Sequence, residues 1–511
     1  MNPWRCSPVK KFLCLLLLCT LLLSSFPARA DNYRNWYEVF VYSYKDSDGD
    51  GIGDLKGLIE KLPYIEDMGY NGLWLMPVMA SPSYHKYDVT DYCSIDPQYG
   101  TMEDMRALVE DCHRRDIKII IDLPVNHTST RHPWFLDAVY SIQKRTYDSP
   151  YLEYYCFTQQ PEANHVQVNG AKWYYEEQFA GGNMPDLNLD SEKLYSEIES
   201  ILAFWLEDVG VDGFRLDAVT SFYAKNTTKN VEFLNKLKAS CEKIKPGSFL
   251  VGEVWAGIGT IAEYYQSGID SFFLFPASQA EGYVARATRG RSPAKSYVQD
   301  LTNLYETLPG VLLAPFIGNH DTGRAVGSLQ GRSLPARAKF GETLLNLIGG
   351  AVFTYYGEEI GMVGSGDDPN KRLAMYWSEG DMTQQPPGVT QIEYHFPCAE
   401  EQLKDENSIL NYCRALNHLK LKVPSIARGK TEFVYSDSNL CVMKKTWENE
   451  TCYAVLNFSS SKTYEYTLNV PSLTLAGILD ASEEKASAVI GETAAAVTLP
   501  PFAAVFFTVS E

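Results

Sequence analysis

The sequence predicts an α/β fold: a (β/α)8 barrel (TIM barrel) with a domain inserted after its third strand and a C-terminal antiparallel β-sandwich. Three observations predict it. Eight short apolar, β-branched runs alternate with longer helical ones between Trp36 and about Gly361. The connection after the third run is some sixty residues long. Beyond Pro424 helical periodicity gives way to short alternating segments.

In chain order, residues 1–30 come first: a basic start (Arg5, Lys10, Lys11), an apolar run from Phe12 to Leu23, and Ala28-Arg29-Ala30 before Asp31. This is the pattern of a cleaved signal peptide, and the run is shorter than the roughly 20 residues that span a bilayer. The expected location is therefore secreted, periplasmic or cell-surface, with no membrane span in the mature chain.

The strand-like runs follow at 38–43, 72–78, 118–125, 211–219, 248–255, 270–276, 311–318 and 351–356. Several are apolar on both faces, as a parallel sheet covered by helices requires. Between them 101–116 and 191–209 repeat apolar residues at helical spacing. The long third connection carries Tyr147, Tyr151, Tyr154, Tyr155, Trp173, Tyr174 and Tyr175. It exceeds an ordinary βα loop and is expected to form a small domain over the site. After Pro424 the runs 440–445, 452–457, 463–469 and 496–508 read as strands, with one short helix expected near 482–488. The expected division is a signal peptide at 1–30, the barrel at 31–126 and 190–424, an inserted domain at 127–189 and a β-domain at 425–511.

Composition narrows the function. With 45% hydrophobic and 21% charged residues the chain is neither disordered nor collagen-like. Its net charge of −19 becomes −23 once the four basic residues of 1–30 are removed, and it carries no basic patch, so nucleic acid is not expected as a partner. Tyr (33), Phe (23) and Trp (9) are abundant, and aromatic faces stack on the CH faces of sugars; about half of those in the insert are expected to be core instead. Eight of the 11 cysteines lie beyond residue 30, which permits disulfides outside the cytoplasm. The pairing stays open, except that a two-residue turn at Glu448-Asn449 would set Cys441 opposite Leu456 rather than Cys452.

The strand ends carry the chemistry. Asp122 and Asn126-His127 follow the third strand, Arg215 and Asp217 the fourth, Glu253 the fifth, and His320-Asp321 the seventh. In a barrel these positions converge on one rim. No nucleophile elbow, phosphate-binding loop or zinc ligand set accompanies them. Paired carboxylates are what retaining glycoside hydrolysis needs, one as nucleophile and one as proton donor. Arg215, two residues from Asp217 on the same strand face, would hold that aspartate ionised. Glu253, beside Val254 and Trp255, would keep its proton through desolvation.

These residues also match a family. The runs Asp122-Leu-Pro-Val-Asn-His127, Gly213-Phe-Arg-Leu-Asp217, Gly252-Glu253-Val-Trp and Asn319-His-Asp321 resemble, in order and spacing, the four signature regions of the alpha-amylase family of glycoside hydrolases (glycoside hydrolase family 13). Tyr84-His-Lys-Tyr87-Asp88 and Met184-Pro-Asp-Leu-Asn188 extend the likeness, which covers about residues 36–511. The second of these resembles the group intermediate between oligo-1,6-glucosidases and neopullulanases. By resemblance Asp217 is the nucleophile, Glu253 the general acid/base, and Asp321 the residue gripping the sugar hydroxyls. His127, His320 and Arg215 would complete the sugar subsite, with Tyr87 stacking under the ring and Asp88 on its far side.

The resemblance further implies an alpha-amylase acting on α-1,4 bonds of starch, glycogen or maltooligosaccharides, because relatives that cut α-1,6 bonds in short sugars tend to carry valine where Ala218 stands. The alternatives are an oligo-1,6-glucosidase or neopullulanase, or a 4-α-glucanotransferase. A non-catalytic subunit would lack part of the acidic trio, which is complete here. Thr220-Ser221 replaces the Lys-His of many alpha-amylases, so the calcium site using that histidine is not carried over.

A different calcium (Ca2+) site is expected at Asp46-Ser-Asp48-Gly-Asp50-Gly-Ile52-Gly-Asp54, where oxygens alternate with glycines as in the first half of an EF-hand loop. The resemblance implies calcium held there by the side chains of Asp46, Asp48, Asp50 and Asp54 and by the Ile52 carbonyl. The ion would be structural, and the protein is expected to act as a monomer on an α-glucan.

Overall fold

The computed structural model describes residues 31–510 apart from 180, 182, 225, 290–292 and 330–333, so the expected signal peptide lies outside the described residues. Seven parallel strands form the central sheet: β1 (Asn35–Val39), β2 (Gly72–Leu75), β3 (Lys118–Leu123), β4 (Gly213–Leu216), β5 (Phe249–Gly252), β6 (Ser271–Phe272) and β7 (Val352–Tyr355). Their order is β6-β5-β4-β3-β2-β1-β7. The run expected as a strand at 311–318 closes the ring between β6 and β7 as an extended segment rather than a regular strand. The Ala314 carbonyl accepts from Leu274 N (2.9 Å), and those of Leu313 and Pro315 accept from Ala351 N and Phe353 N (2.8 and 2.9 Å). Pro315 has no N–H to donate, which interrupts the ladder on one side.

The other strands are shorter than the apolar runs that announced them, because those runs continue into buried loops. Val41–Ser43, for example, is a buried 3-10 turn after β1. Side-chain alternation splits the barrel into two layers. Trp36, Trp74, Ile120, Phe249, Val251, Phe273 and Phe353 fill the interior. Tyr37, Leu73, Ile121, Phe214 and Leu250 face outward, where helices cover the sheet. Trp36 stacks on Phe249 (5.1 Å) and Phe353 (5.6 Å). Its ring lies so close to β2 that a Cβ at Gly72 would sit 2.5 Å from it.

The helices begin where local chemistry starts them. Thr101 and Asp104 form a reciprocal capping box at the helix Met102–Arg114, Ser191 caps Glu192–Ala203, and Asp54 caps Leu55–Asp67 by accepting from Gly57 N.

Between β3 and β4 the long connection forms a helix (Pro133–Lys144) and a three-stranded sheet of Phe157–Thr158, Tyr174–Glu176 and His165–Gln167. Tyr154, Tyr155 and Tyr175 are buried there, Tyr151, Trp173 and Tyr174 are half-buried, and Tyr147 is exposed.

After Pro424 come eight antiparallel strands: β8 (Lys430–Ser436), β9 (Leu440–Trp447), β10 (Glu450–Asn457), β11 (Tyr464–Leu468), β12 (Thr474–Asp480), β13 (Ser487–Ile490), β14 (Ala495–Leu499) and β15 (Ala503–Ser510). They make a five-stranded sheet, β8-β9-β10-β15-β12, facing a three-stranded one, β11-β14-β13. Leu440, Val455, Leu468, Val497 and Phe507 pack between the two sheets. The β9–β10 turn pairs Cys441 with Leu456, and the eight cysteines of the described residues are all free thiols. The helix expected near 482–488 is instead a bend leading into β13, whose edge position suits Val489 and Ile490.

Candidate active site

The period of two that fills the barrel floor also delivers the polar residues above it. Glu38 follows Trp36 on β1 by two residues, Asp122 follows Ile120 on β3, Asp217 follows Arg215 past β4, and Glu253 follows Val251 past β5. All five are buried. β4 approaches β5 so tightly that a Cβ at Gly213, whose φ is +152°, would lie 1.8 Å from the Phe249 carbonyl oxygen. Only glycine fits there, and it sets Arg215 at the centre.

Arg215 organises the site. Its Nη1 donates to both oxygens of Asp122 (2.9 and 3.0 Å) and to Asp217 Oδ1 (2.5 Å), while Nη2 lies 2.9 Å from Glu253 Oε2. The guanidinium rests over the Trp74 ring, 5.5 Å from its centroid. A fully buried cation touching three carboxylates offsets charge that would otherwise be costly to bury. Burial nevertheless dominates at Glu253 and raises its pKa against the pull of Arg215; Asp217 and Asp321 add to the rise. Burial likewise lifts Asp122, again opposed by Arg215. The Ala218 amide donates to Glu253 Oε2 (3.0 Å) from a residue at φ 45°, a backbone conformation that aims this N–H at the acid.

His320 and Asp321 arrive on the turn after the seventh barrel segment, where Asn319 Oδ1 accepts from the amides of Asp321 and Thr322 (3.0 and 2.9 Å). His320 Nδ1 pairs with Glu38 Oε1 at 2.5 Å, and Nε2 meets Tyr87 Oη at 2.6 Å and Asp321 Oδ2 at 3.0 Å. Burial opposes a charge on this ring, but Asp321 and Glu38 outweigh it and push its pKa up to about 10, so His320 is a cation at neutral pH. For Asp321, burial would raise the pKa, yet His320, Arg372 and Arg215 together hold it far below the usual carboxylate range. Arg372 Nη2 sits 3.1 Å from Asp321 Oδ1, and its Nη1 reaches Asp368 at 2.8 Å. Tyr84 Oη also donates to Asp368.

A cavity of about 260 Å³ opens on this rim, lined by Asp217, Asp321, Tyr87, His127, Asp368 and Arg372 among others. Tyr87 Oη donates to Asp122 Oδ2 (3.0 Å), and the ring stacks against His320 at 5.6 Å. His127 is buried, its pKa lowered by that burial. Its Nε2 has no protein partner among the described residues, and the ring lines the cavity. Asp88 is placed differently: its carboxylate accepts from Ser81 Oγ (2.7 Å) and Ser83 Oγ, and it is not among the cavity's lining residues.

Two participants escape sequence reading. Glu38 is the one charged residue in β1, a signal available in principle. Arg372 lies in an irregular stretch after β7, and nothing local connects it to Asp321.

The acidic loop stands apart from the rim. Carboxylate oxygens of Asp46, Asp48 and Asp50 lie within 4.8 Å of one another. Asp46 accepts from the amides of Asp48, Gly49 and Gly51, and Asp50 Oδ1 from Ile52 N. Three converging carboxylates form an all-oxygen donor set that suits a hard divalent cation. Asp54 does not join them; its two oxygens take Ser47 N, Ser47 Oγ and Gly57 N, all at 2.8 Å.

A family model described as "Alpha amylase, catalytic domain" matches residues 38–429. "Alpha-amylase 3" of Dictyoglomus thermophilum is 37% identical over 471 residues, covering 90% of this chain and 92% of its own. Among solved structures, Eubacterium rectale Amy13B superposes with a TM-score of 0.89 at 38% identity, covering 94% of this chain and 96% of its own. An alpha-amylase from H. orenii gives 0.82 at 34% identity over 94% of this chain and 100% of its own.

Proposed function

The chain belongs to the alpha-amylase family of glycoside hydrolases, and from that premise we propose that it is a retaining alpha-amylase cleaving α-1,4-glucosidic bonds. The observation that carries the chemistry is the sharing of one guanidinium: Asp217 and Glu253 both lean on Arg215, at 2.5 and 2.9 Å. A retaining pair must stand roughly 5–5.5 Å apart, close enough for direct attack by one and protonation by the other.

The steps follow. Asp217, paired with Arg215, attacks the anomeric carbon while Glu253 gives its proton to the departing glycosidic oxygen, so the C–O bond breaks and a glycosyl ester of Asp217 forms. Glu253, now a carboxylate, takes a proton from water, which opens the ester and restores both groups with net retention. Asp321, held ionised by His320 and Arg372, would accept from the sugar hydroxyls, and Tyr87 would lie under the ring. The α-1,4 preference rests on Ala218 and on the names of the relatives above.

The reading extends to a structural calcium ion at Asp46, Asp48 and Asp50, and to secretion through residues 1–30. When bound, the ion would offset two of the three negative charges and tie the loop together. The test of specificity is a digest of soluble starch, pullulan and isomaltose with products resolved by size. Maltooligosaccharides from starch and an untouched isomaltose are expected. Glucose released from isomaltose as fast as starch is cut would overturn the α-1,4 assignment, and products longer than a maltoheptaose substrate would make it a transferase.

A further inference from the structure

The inserted region carries an aromatic feature that the catalytic rim does not use. Tyr147 stands 47% exposed just beyond the helix Pro133–Lys144, with its ring 5.9 Å from that of Trp173 at 48°. Its backbone is unusual for a bulky residue. Both Arg145 (φ 59°) and Tyr147 (φ 53°) are left-handed, and the turn is held by Thr146 N and Tyr147 N donating to the Ser141 carbonyl at 3.1 and 3.4 Å. Such a conformation costs on the order of 1–3 kcal/mol and persists only where its surroundings impose it. Here the result is a large ring held out in solvent rather than folded into the core.

Two cavities flank this pair, of about 700 and 650 Å³, sharing Tyr147, Trp173 and Gln159 as a common wall. Both are in the size range of ligand sites, and neither shares a lining residue with the cavity at Asp217. The larger is bordered by Gln143, Gln167 and Asn169. Gln143 Nε2 is fixed on the Asn169 carbonyl (2.8 Å) and Gln167 Nε2 on that of Ala171 (2.9 Å), which orients their amide oxygens as acceptors. Rigid aromatic faces beside prepositioned amides suit a neutral ligand with an apolar face and a rim of hydroxyls. Arg145 and Lys172 also border this cavity, but a chain of net charge −19 repels an extended polyanion.

We propose that Tyr147 and Trp173 form a second α-glucan-binding surface, outside the catalytic cleft, that holds the enzyme on a polymer while the cleft works on another stretch of chain. The inference rests on the glucan reading of the active site, and its test separates the two.

Binding is measured with the Glu253→Gln enzyme, which does not digest its ligand, by partition onto granular starch. Adding Tyr147→Ala should weaken the partition roughly tenfold, the loss of about 1.4 kcal/mol. Trp173→Phe, which keeps a ring and protects the fold, should cost less than Trp173→Ala. In the active enzyme Tyr147→Ala should leave kcat/KM on maltotriose unchanged and lower the rate on granules. Equal partition with and without Tyr147, or capture by a sulfated polysaccharide but not by starch, would overturn the surface. If the parent cleaves no glucan yet its starch binding still depends on Tyr147, the surface stands and the catalytic reading falls.

Discussion

At the scale of single residues, the site is governed by how burial and charge divide the carboxylates. Glu253 has its pKa raised by burial, as the proposed proton donor requires, and activity should fall as rising pH passes through that raised value. Glu253→Gln should retain the fold and sugar binding while cutting kcat by about three orders of magnitude in a maltooligosaccharide assay. Unchanged turnover would remove the assignment. Glu38 is a positioning residue acting through His320. Because the folded pKa of His320 is about 10 against an ordinary 6.5, the stability its charge contributes is complete below 6.5 and is lost as pH rises through about 10. Glu38→Gln removes one of its two carboxylate partners. The His320 titration, followed by imidazole NMR, should move to lower pH and the alkaline edge of stability should move with it; an unmoved titration would refute the coupling. Asp217, Glu253, Arg215, His127, His320 and Asp321 were legible in the sequence, since chemistry at a strand end leaves a polar residue where apolar ones belong. Arg372 was not, because its meaning lies in a 3.1 Å contact with a residue 51 positions away.

At the scale of elements, the acidic loop and the helix it leads into divide the expected calcium ligands between two roles. Asp46, Asp48 and Asp50 converge, whereas Asp54 caps the helix Leu55–Asp67 and braces Ser47. The two roles separate in a melting experiment. Chelation should lower the melting temperature of the parent, and Asp46→Asn should lower it in calcium and abolish the chelator effect. Asp54→Ala should cost about 1–2 kcal/mol of cap energy and lower the melting temperature with and without chelator. No chelator effect in the parent would dismiss the ion. The alternation of glycines and aspartates announced a tight turn rich in oxygens, but which carboxylate turns toward the helix depends on a donor at Gly57 that spacing alone does not select. The same limit explains the stretch 311–318: its apolar run was readable, yet Pro315 and the short β6 leave a segment joined to its neighbours only in places.

At the scale of the whole molecule, Tyr33–Glu511 behaves as one compact unit. Phe340, on a barrel helix, packs against Phe458 (5.1 Å) and Phe502 (5.3 Å), Tyr297 against Phe458 (5.8 Å), and Lys445 Nζ donates to the Leu347 carbonyl (2.9 Å). A chain ending at Pro424 would expose this apolar face and leave the Leu347 carbonyl without that donor. It should be insoluble on expression, while the intact protein should melt in one calorimetric transition; a soluble, active truncation would contradict the packing. By itself the sequence determined the barrel, the long insert, the β-sandwich and the gathering of Asp217, Glu253 and Asp321 at the strand ends, because hydrophobic period and strand-end polarity are local properties that survive without knowledge of neighbours. Only the tertiary structure decided that one guanidinium serves Asp122, Asp217 and Glu253, that His320 and Asp321 hold each other charged with Glu38 and Arg372 reinforcing them, and that Ser81 and Ser83 hold Asp88. Those are electrostatic and hydrogen-bonding facts acting over a few ångströms, and a few ångströms of separation is a quantity that only the closed barrel defines.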